Sequence, residues 1–161
     1  MPTSSFEHPL FGTIGFRTPH NKWIRGDDII FLSGFDSSDV TAVVVPQLVN
    51  IKGSNGGKLQ FHRKGHAQLL RAFQQAETAG LMHHIKTCAG TLNRRLRKPT
   101  SGALSKLPSE HAFGIAIDMN EADPGFGDSV APLAPIFIDN GFQWGKDFND
   151  PMHFQIQKFI P

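Results

Sequence analysis

Apolar and polar positions along this chain follow two rhythms, and each predicts a different element. Residues 40–45 (VTAVVV) are β-branched and apolar until Pro46 interrupts them, the pattern of a buried strand. Gly53-Ser54-Asn55-Gly56-Gly57 predicts a turn, with a second strand at Lys58–His62. From 63 to 79 the period lengthens. Ala67, Leu70, Phe73 and Ala76, with Leu69, form one apolar stripe at i, i+3, i+4 spacing, and Gly80 stands where a left-handed cap would end a helix. Residues 84–89 predict another strand. Residues 112–119 alternate with Phe113, Ile115 and Ile117 on one face, and 152–157 alternate again as a closing strand.

The remaining stretches are less regular. Residues 1–39 are turn-rich, punctuated by Gly12, Gly15, Pro19, Gly26 and Gly34, and predict loops and short strands. Residues 123–128 predict a glycine-containing loop. A second helix follows and ends before Gly141, with Pro132 and Pro135 tolerable only in its first turn. With no repeat, linker or low-complexity tract, the expected architecture is one α+β domain over 1–161, an antiparallel sheet with a few helices packed on it. Residues 1–40 are its least defined part.

Composition narrows the chemistry. A chain of 161 residues with 39% hydrophobic and 19% charged residues can bury one efficient core. A formal charge of +2 is too small to argue for nucleic acid, although it favours an anionic polymer such as a wall glycan. Cys88 is the single cysteine, which excludes an intrachain disulfide and a cysteine-rich zinc site, so any metal must sit on nitrogen and oxygen. No segment reaches the ~20 apolar residues of a membrane span. The first residues lack a signal peptide's basic and apolar regions. The expectation is either a route to the substrate without that leader or a leader already removed.

Two segments carry candidate chemistry. In Ser109-Glu110-His111-Ala112-Phe113-Gly114-Ile115-Ala116-Ile117-Asp118, an imidazole and a carboxylate could meet on one ion if the chain turns near Gly114. In isolation, a histidine and an aspartate so spaced are usually unrelated. In Asp150-Pro151-Met152-His153, Pro151 keeps Asp150 out of helix, so acid and histidine sit at a strand entrance. A solvated loop acid and a core-edge histidine is the plainer reading of that pair alone.

Together the segments resemble a known group. The run Ser-x-His-x-x-Gly-x-Ala-x-Asp at 109–118, followed by Asp-x-x-His at 150–153 in a Trp-Gly…Asp-Pro-Met-His-Phe context, is similar to the D-alanyl-D-alanine carboxypeptidase and L-alanyl-D-glutamate endopeptidase zinc peptidases. The flanking 79–85 and 92–95 also look like this group, and the resemblance covers about residues 58–157. It implies a fold of the hedgehog and D-Ala-D-Ala-peptidase type and zinc on His111, Asp118 and His153. It implies Asp150 as general base and an upstream arginine that binds substrate or steadies the oxyanion. Arg95 matches best, while Arg94 and Arg97 remain alternatives. Ser109 is expected to contact substrate or brace the site.

The implied substrate is a peptide bond of the peptidoglycan stem peptide, cut in periplasm or cell wall by an exopeptidase or an endopeptidase. The same resemblance leaves room for a non-catalytic, zinc-stabilised wall-binding or signalling domain. A phage lysin or injected antibacterial effector would suit a chain without a leader, and an effector would bring an immunity or delivery protein as partner. Gln155 stands where the group commonly has an acid. Histidines 8, 20, 62, 66, 83 and 84 are expected to pack at the surface or core edge.

Overall fold

The computed structural model describes residues 3–18, 29–97 and 107–161. Pro19, His20, Gly26, Lys98 and Pro99 lie outside the described residues. Three antiparallel sheets and a few helices make an α+β architecture, as the patterning predicts. The first sheet joins β1 (Ser4–His8), β2 (Gly12–Arg17) and β3 (Ile30–Ser33), so the irregular N-terminal region forms a more regular sheet than its sequence suggests. The second pairs β4 (Val40–Val44) with β5 (Lys58–His62). The third has the order β6-β7-β9-β8, built from Cys88–Gly90, Ala116–Met119, His153–Ile156 and Phe142–Trp144.

One apolar cluster runs from Ile14 through Phe61, Phe73, Phe113 and Phe137 to Ile156, so strands from all three sheets contribute to the same core. Cys88 lies within it, fully buried, and desolvation pushes its thiol up to about 11. No helix among the described residues is long and apolar enough to cross a membrane.

Several elements differ from their predicted form. The 63–79 helix begins with a 3-10 turn at Arg63–Gly65 and continues as α1, His66–Thr78. Its buried face is Gln68, Leu69, Ala72, Phe73 and Ala76, while Ala67 is exposed and Leu70 half-buried. Gln68 turns inward because its amide serves the C-terminal backbone. Its Nε2 donates to the carbonyls of Asn140 (2.8 Å) and Lys158 (3.0 Å), and its Oε1 accepts from Ile160 N (3.0 Å).

The strand expected at 84–89 shrinks to β6, preceded by a 3-10 turn at Met82–His84. Asn120 takes the backbone partners a strand would have used: its Oδ1 accepts from Lys86 N and Thr87 N, and its Nδ2 donates to His84 O. Strand β4 is mostly exposed, Val44 at 55%, and Val43 is its one side chain buried in the core.

After β7 the chain makes one helical turn, α2 (Pro124–Gly127), where a loop was expected, then a 3-10 stretch at Asp128–Leu133. The helix predicted before Gly141 is α3, Ala134–Asp139. Pro135 sits in its first turn, whereas Pro132 falls in the 3-10 stretch ahead of it.

Candidate metal centre

The site grows from one turn and one strand pair. Residues 112–119 do not form a single strand. Glu110–Phe113 is a 3-10 turn, closed by Gly114 in the left-handed region at φ 68°, and β7 begins only at Ala116. A side chain at Gly114 would be strained in that conformation and would collide with Val40. Ser109 caps the turn, its hydroxyl accepting from His111 N at 3.2 Å. The turn is also anchored from outside: Glu110 accepts from His8 Nε2 (2.9 Å) and from Arg97 Nη2 (3.1 Å).

Strand register supplies the other two side chains. In the β7–β9 ladder Asp118 lies directly opposite His153, where side chains on one face approach closely. Asp118 Oδ1 is 3.0 Å from His153 Nδ1, and its Oδ2 is 3.1 Å from His111 Nε2. The two imidazole centroids are 5.0 Å apart. One donor atom from each of the three residues lies within 4.8 Å of the others.

Asp150 stands beside them, Oδ2 3.7 Å from His153 Nδ1, at the entrance to β9 as Pro151 suggested. Its side chain is 34% exposed, against 7% for His153, so it reaches the same spot from the solvent side. Gly145 lets this loop close, since a Cβ there would strike the Asp150 carbonyl and the His153 side chain.

Each imidazole is held by its far nitrogen. His111 Nδ1 donates to the Thr91 carbonyl at 3.2 Å, which leaves the unprotonated Nε2 facing inward with its lone pair. His153 Nε2 bonds Gln155 Oε1 at 2.8 Å, which leaves Nδ1 facing Asp118. Sequence reasoning missed both orienting groups. Thr91 acts through a backbone carbonyl, which carries no letter. Gln155 is two residues along β9 from His153 and so shares its face, a signal that alternation offered.

The residues present fit a metal ion. His111 Nε2 is buried with no hydrogen-bond partner, an orphaned donor atom in a polar site. Nitrogen, oxygen and nitrogen ligands with a fourth side open suit zinc. Burial alone would raise the Asp118 pKa, but the neighbouring His111 and His153 imidazoles outweigh it and hold the carboxyl well below the usual range. Burial works against charge on His153, yet contact with Asp118 raises its pKa.

A small cavity of about 80 Å³ adjoins the group, lined by Thr91, Asn93 and Arg95 together with His111 and Asp118. The three candidate arginines separate here. Arg97 is committed to Glu110 and to the Pro108 carbonyl. Arg95 lines the cavity, where burial lowers its pKa while Asp118 and Asp150 favour its charge. Arg94 is not among the lining residues, and its carbonyl accepts from Ile29 N.

Among the described residues, His111, Asp118 and His153 thus form a group that could hold a metal ion. Residues 103–156 match the model of a family described as D-alanyl-D-alanine carboxypeptidase, which supports the family resemblance seen in the two motifs. Comparisons with curated proteins and with solved structures returned no match.

Proposed function

We propose that this protein is a zinc peptidase that hydrolyses a bond of the peptidoglycan stem peptide, in the wall or periplasm where that substrate lies. The supporting observation is the meeting of His111 Nε2, Asp118 and His153 Nδ1 with Asp150 3.7 Å from the last of them. Those three residues would hold the ion. When bound, zinc would supply Lewis acidity and lower the pKa of a water to roughly 7.

Everything else is done by the chain's own side chains. Asp150, the most solvent-accessible acid of the group, takes a proton from the attacking water and returns it to the leaving amine. As a carboxylate one methylene shorter than glutamate it needs close placement, which Pro151 and the Gly145 contact provide. Arg95 offers a planar set of donors to a substrate carboxylate or to the developing oxyanion, and burial of its guanidinium strengthens that contact. Both a terminal D-alanine and a D-glutamate within the stem present such a carboxylate. Ser109 is spent on the His111 amide, so bracing the turn is its main task.

The test is incubation with purified peptidoglycan, with and without chelator, read by mass spectrometry of the released fragments. Zinc-dependent release that names one bond is expected. Asp150→Ala should retain zinc and lose roughly 10²–10⁴-fold in kcat. Release that ignores chelator, or a fully active Asp150→Ala, rejects the reading. Bound zinc with no cleavage of any wall substrate would favour a zinc-stabilised binding domain.

A further inference from the structure

The turn that carries His111 to the metal group carries Phe113 toward a second, larger cavity. Phe113 stacks on Phe11 with ring centroids 5.4 Å apart and planes at 20°. Phe11 in turn lines a cavity of about 510 Å³ together with Phe35, Asp36, Asp39, His62 and Lys64. That volume falls in the roughly 300–1,000 Å³ range of small-molecule sites. None of the proposed zinc ligands lines it, and the mechanism above does not use it.

His62 is the informative wall residue. It is 1% exposed, and its two ring nitrogens differ in their partners. Its Nδ1 accepts from Lys64 N at 3.2 Å, so the ring proton sits on Nε2. Among the described residues that N–H has no hydrogen-bond acceptor. The carboxylate oxygen it faces, Asp39 Oδ2, is 3.9 Å away, beyond hydrogen-bond reach. Solvent in the cavity is its partner, and a ligand hydroxyl that replaced that water would take over the bond.

The chemistry of that atom follows from the surroundings. A hydroxyl accepts from Nε2 and donates to Asp39, and two bonds of about 2.8 Å meeting near a right angle span about 4 Å. Asp36 and Asp39 disfavour an anion. Arg63 already pairs with Asp39 at 2.7 Å, so a cation gains little. Burial keeps His62 neutral, its pKa pushed down to about 4. Phe11 and Phe35 add apolar ring surface, which water alone would leave unused and a pyranose would cover.

We propose that this cavity is a sugar subsite, in which one hydroxyl of a neutral glycan bridges His62 Nε2 and Asp39 while the sugar ring lies against Phe11 and Phe35. The choice of an amino-sugar glycan rests on the wall-peptidase reading; the hydroxyl bridge does not. The subsite would hold a strand of the wall while its stem peptide enters the metal centre.

Titration of the zinc-loaded protein with a peptide-free β-1,4-linked N-acetylglucosamine tetrasaccharide tests this, followed by NMR of the His62 side chain and of the Phe35 and Lys64 amides. Expected are saturable shifts confined to those groups, with Asp39→Ala and Phe35→Ala each weakening binding by roughly tenfold or more. Hydrolysis of a soluble, sugar-free stem peptide should be unchanged in both variants. No saturable shift, shifts centred on His111 and His153, or equal affinity in both variants and the parent protein would overturn the subsite. Saturable binding by a preparation that cleaves no stem peptide would keep the subsite and defeat the peptidase reading instead.

Discussion

Among the described residues, two places set a buried histidine against an aspartate, and they do opposite things with the pair. At the metal centre, Asp118 is shared by two imidazoles at 3.0 and 3.1 Å. At the larger cavity, His62 Nε2 stops 3.9 Å short of Asp39. Register explains the difference. Asp118 is directly opposite His153 in the β7–β9 ladder, whereas the residue opposite His62 is Val40, so Asp39 lies one position off the pair. Direct opposition gives a carboxylate held anionic between two imidazoles. The offset gives a neutral histidine, its pKa about 4, across an open gap. The same two residue types thus make a group that could hold a metal ion in one place and an open 3.9 Å gap in the other.

Removing the two carboxylates separately breaks this comparison most forcefully. Asp118→Ala should lower zinc affinity by at least about a hundredfold, since a ligand is lost and two imidazoles lose their common partner. Asp39→Ala should leave zinc content unchanged. Metal analysis after dialysis against a competing chelator reads both. Equal zinc retention in the two variants would dissolve the distinction.

A subtler change sharpens the metal side. Gln155 is the acceptor for His153 Nε2, which leaves Nδ1 free to face Asp118. Gln155→Leu removes that acceptor, and zinc affinity should fall by roughly 10–100-fold, as is usual when the partner of a ligating histidine is lost. Gln155→Glu keeps an acceptor in place and should match or exceed the parent protein. The readout is zinc affinity by competition with a chromophoric chelator, which is independent of catalysis. A Gln155→Leu protein that folds and binds zinc normally would show that packing alone orients the ring.

What could be read in the sequence divides along the same physical lines. Lys58–His62 and the 152–157 strand were legible because period-two patterning and nearby turn residues are local signals. Residues 84–89 misled because their backbone partners come from the Asn120 side chain, more than thirty positions away. The 112–119 run alternates in sequence, yet Gly114 splits it, and burial on both faces of β7 hides the break. Gln68 broke the apolar stripe of α1 for the sake of a distant backbone. At the centre, the meeting of His111, Asp118 and His153 was suggested by the family-like motif and not by periodicity. The Thr91 carbonyl and the His62–Asp39 gap were invisible, because both depend on which strands end up adjacent.

The smallest expected effect concerns the offset pair and pH. His62 stays neutral in the fold down to about pH 4, while its unfolded counterpart takes up a proton near 6.5. The groups facing it are Asp39, which favours charge, and Lys64, Arg63 and His66, which oppose it. The unfolded chain therefore binds more protons between those values. Stability from this group is complete above pH 6.5, is lost as pH falls to 4, and changes no further below that. The cavity admits solvent to the ring, which reduces the loss to roughly 1–2 kcal/mol from the larger figure that the full separation would give. Urea unfolding at pH 7.5, 5.5 and 4 of chelator-treated protein measures it against His62→Asn, whose side-chain oxygen can still accept from Lys64 N. The variant should show a shallower decline by that amount. Parallel curves for the two proteins would mean that His62 is charged in the fold. In that case the gap to Asp39 would be an ion pair loosened by solvent and not a site awaiting a neutral hydroxyl.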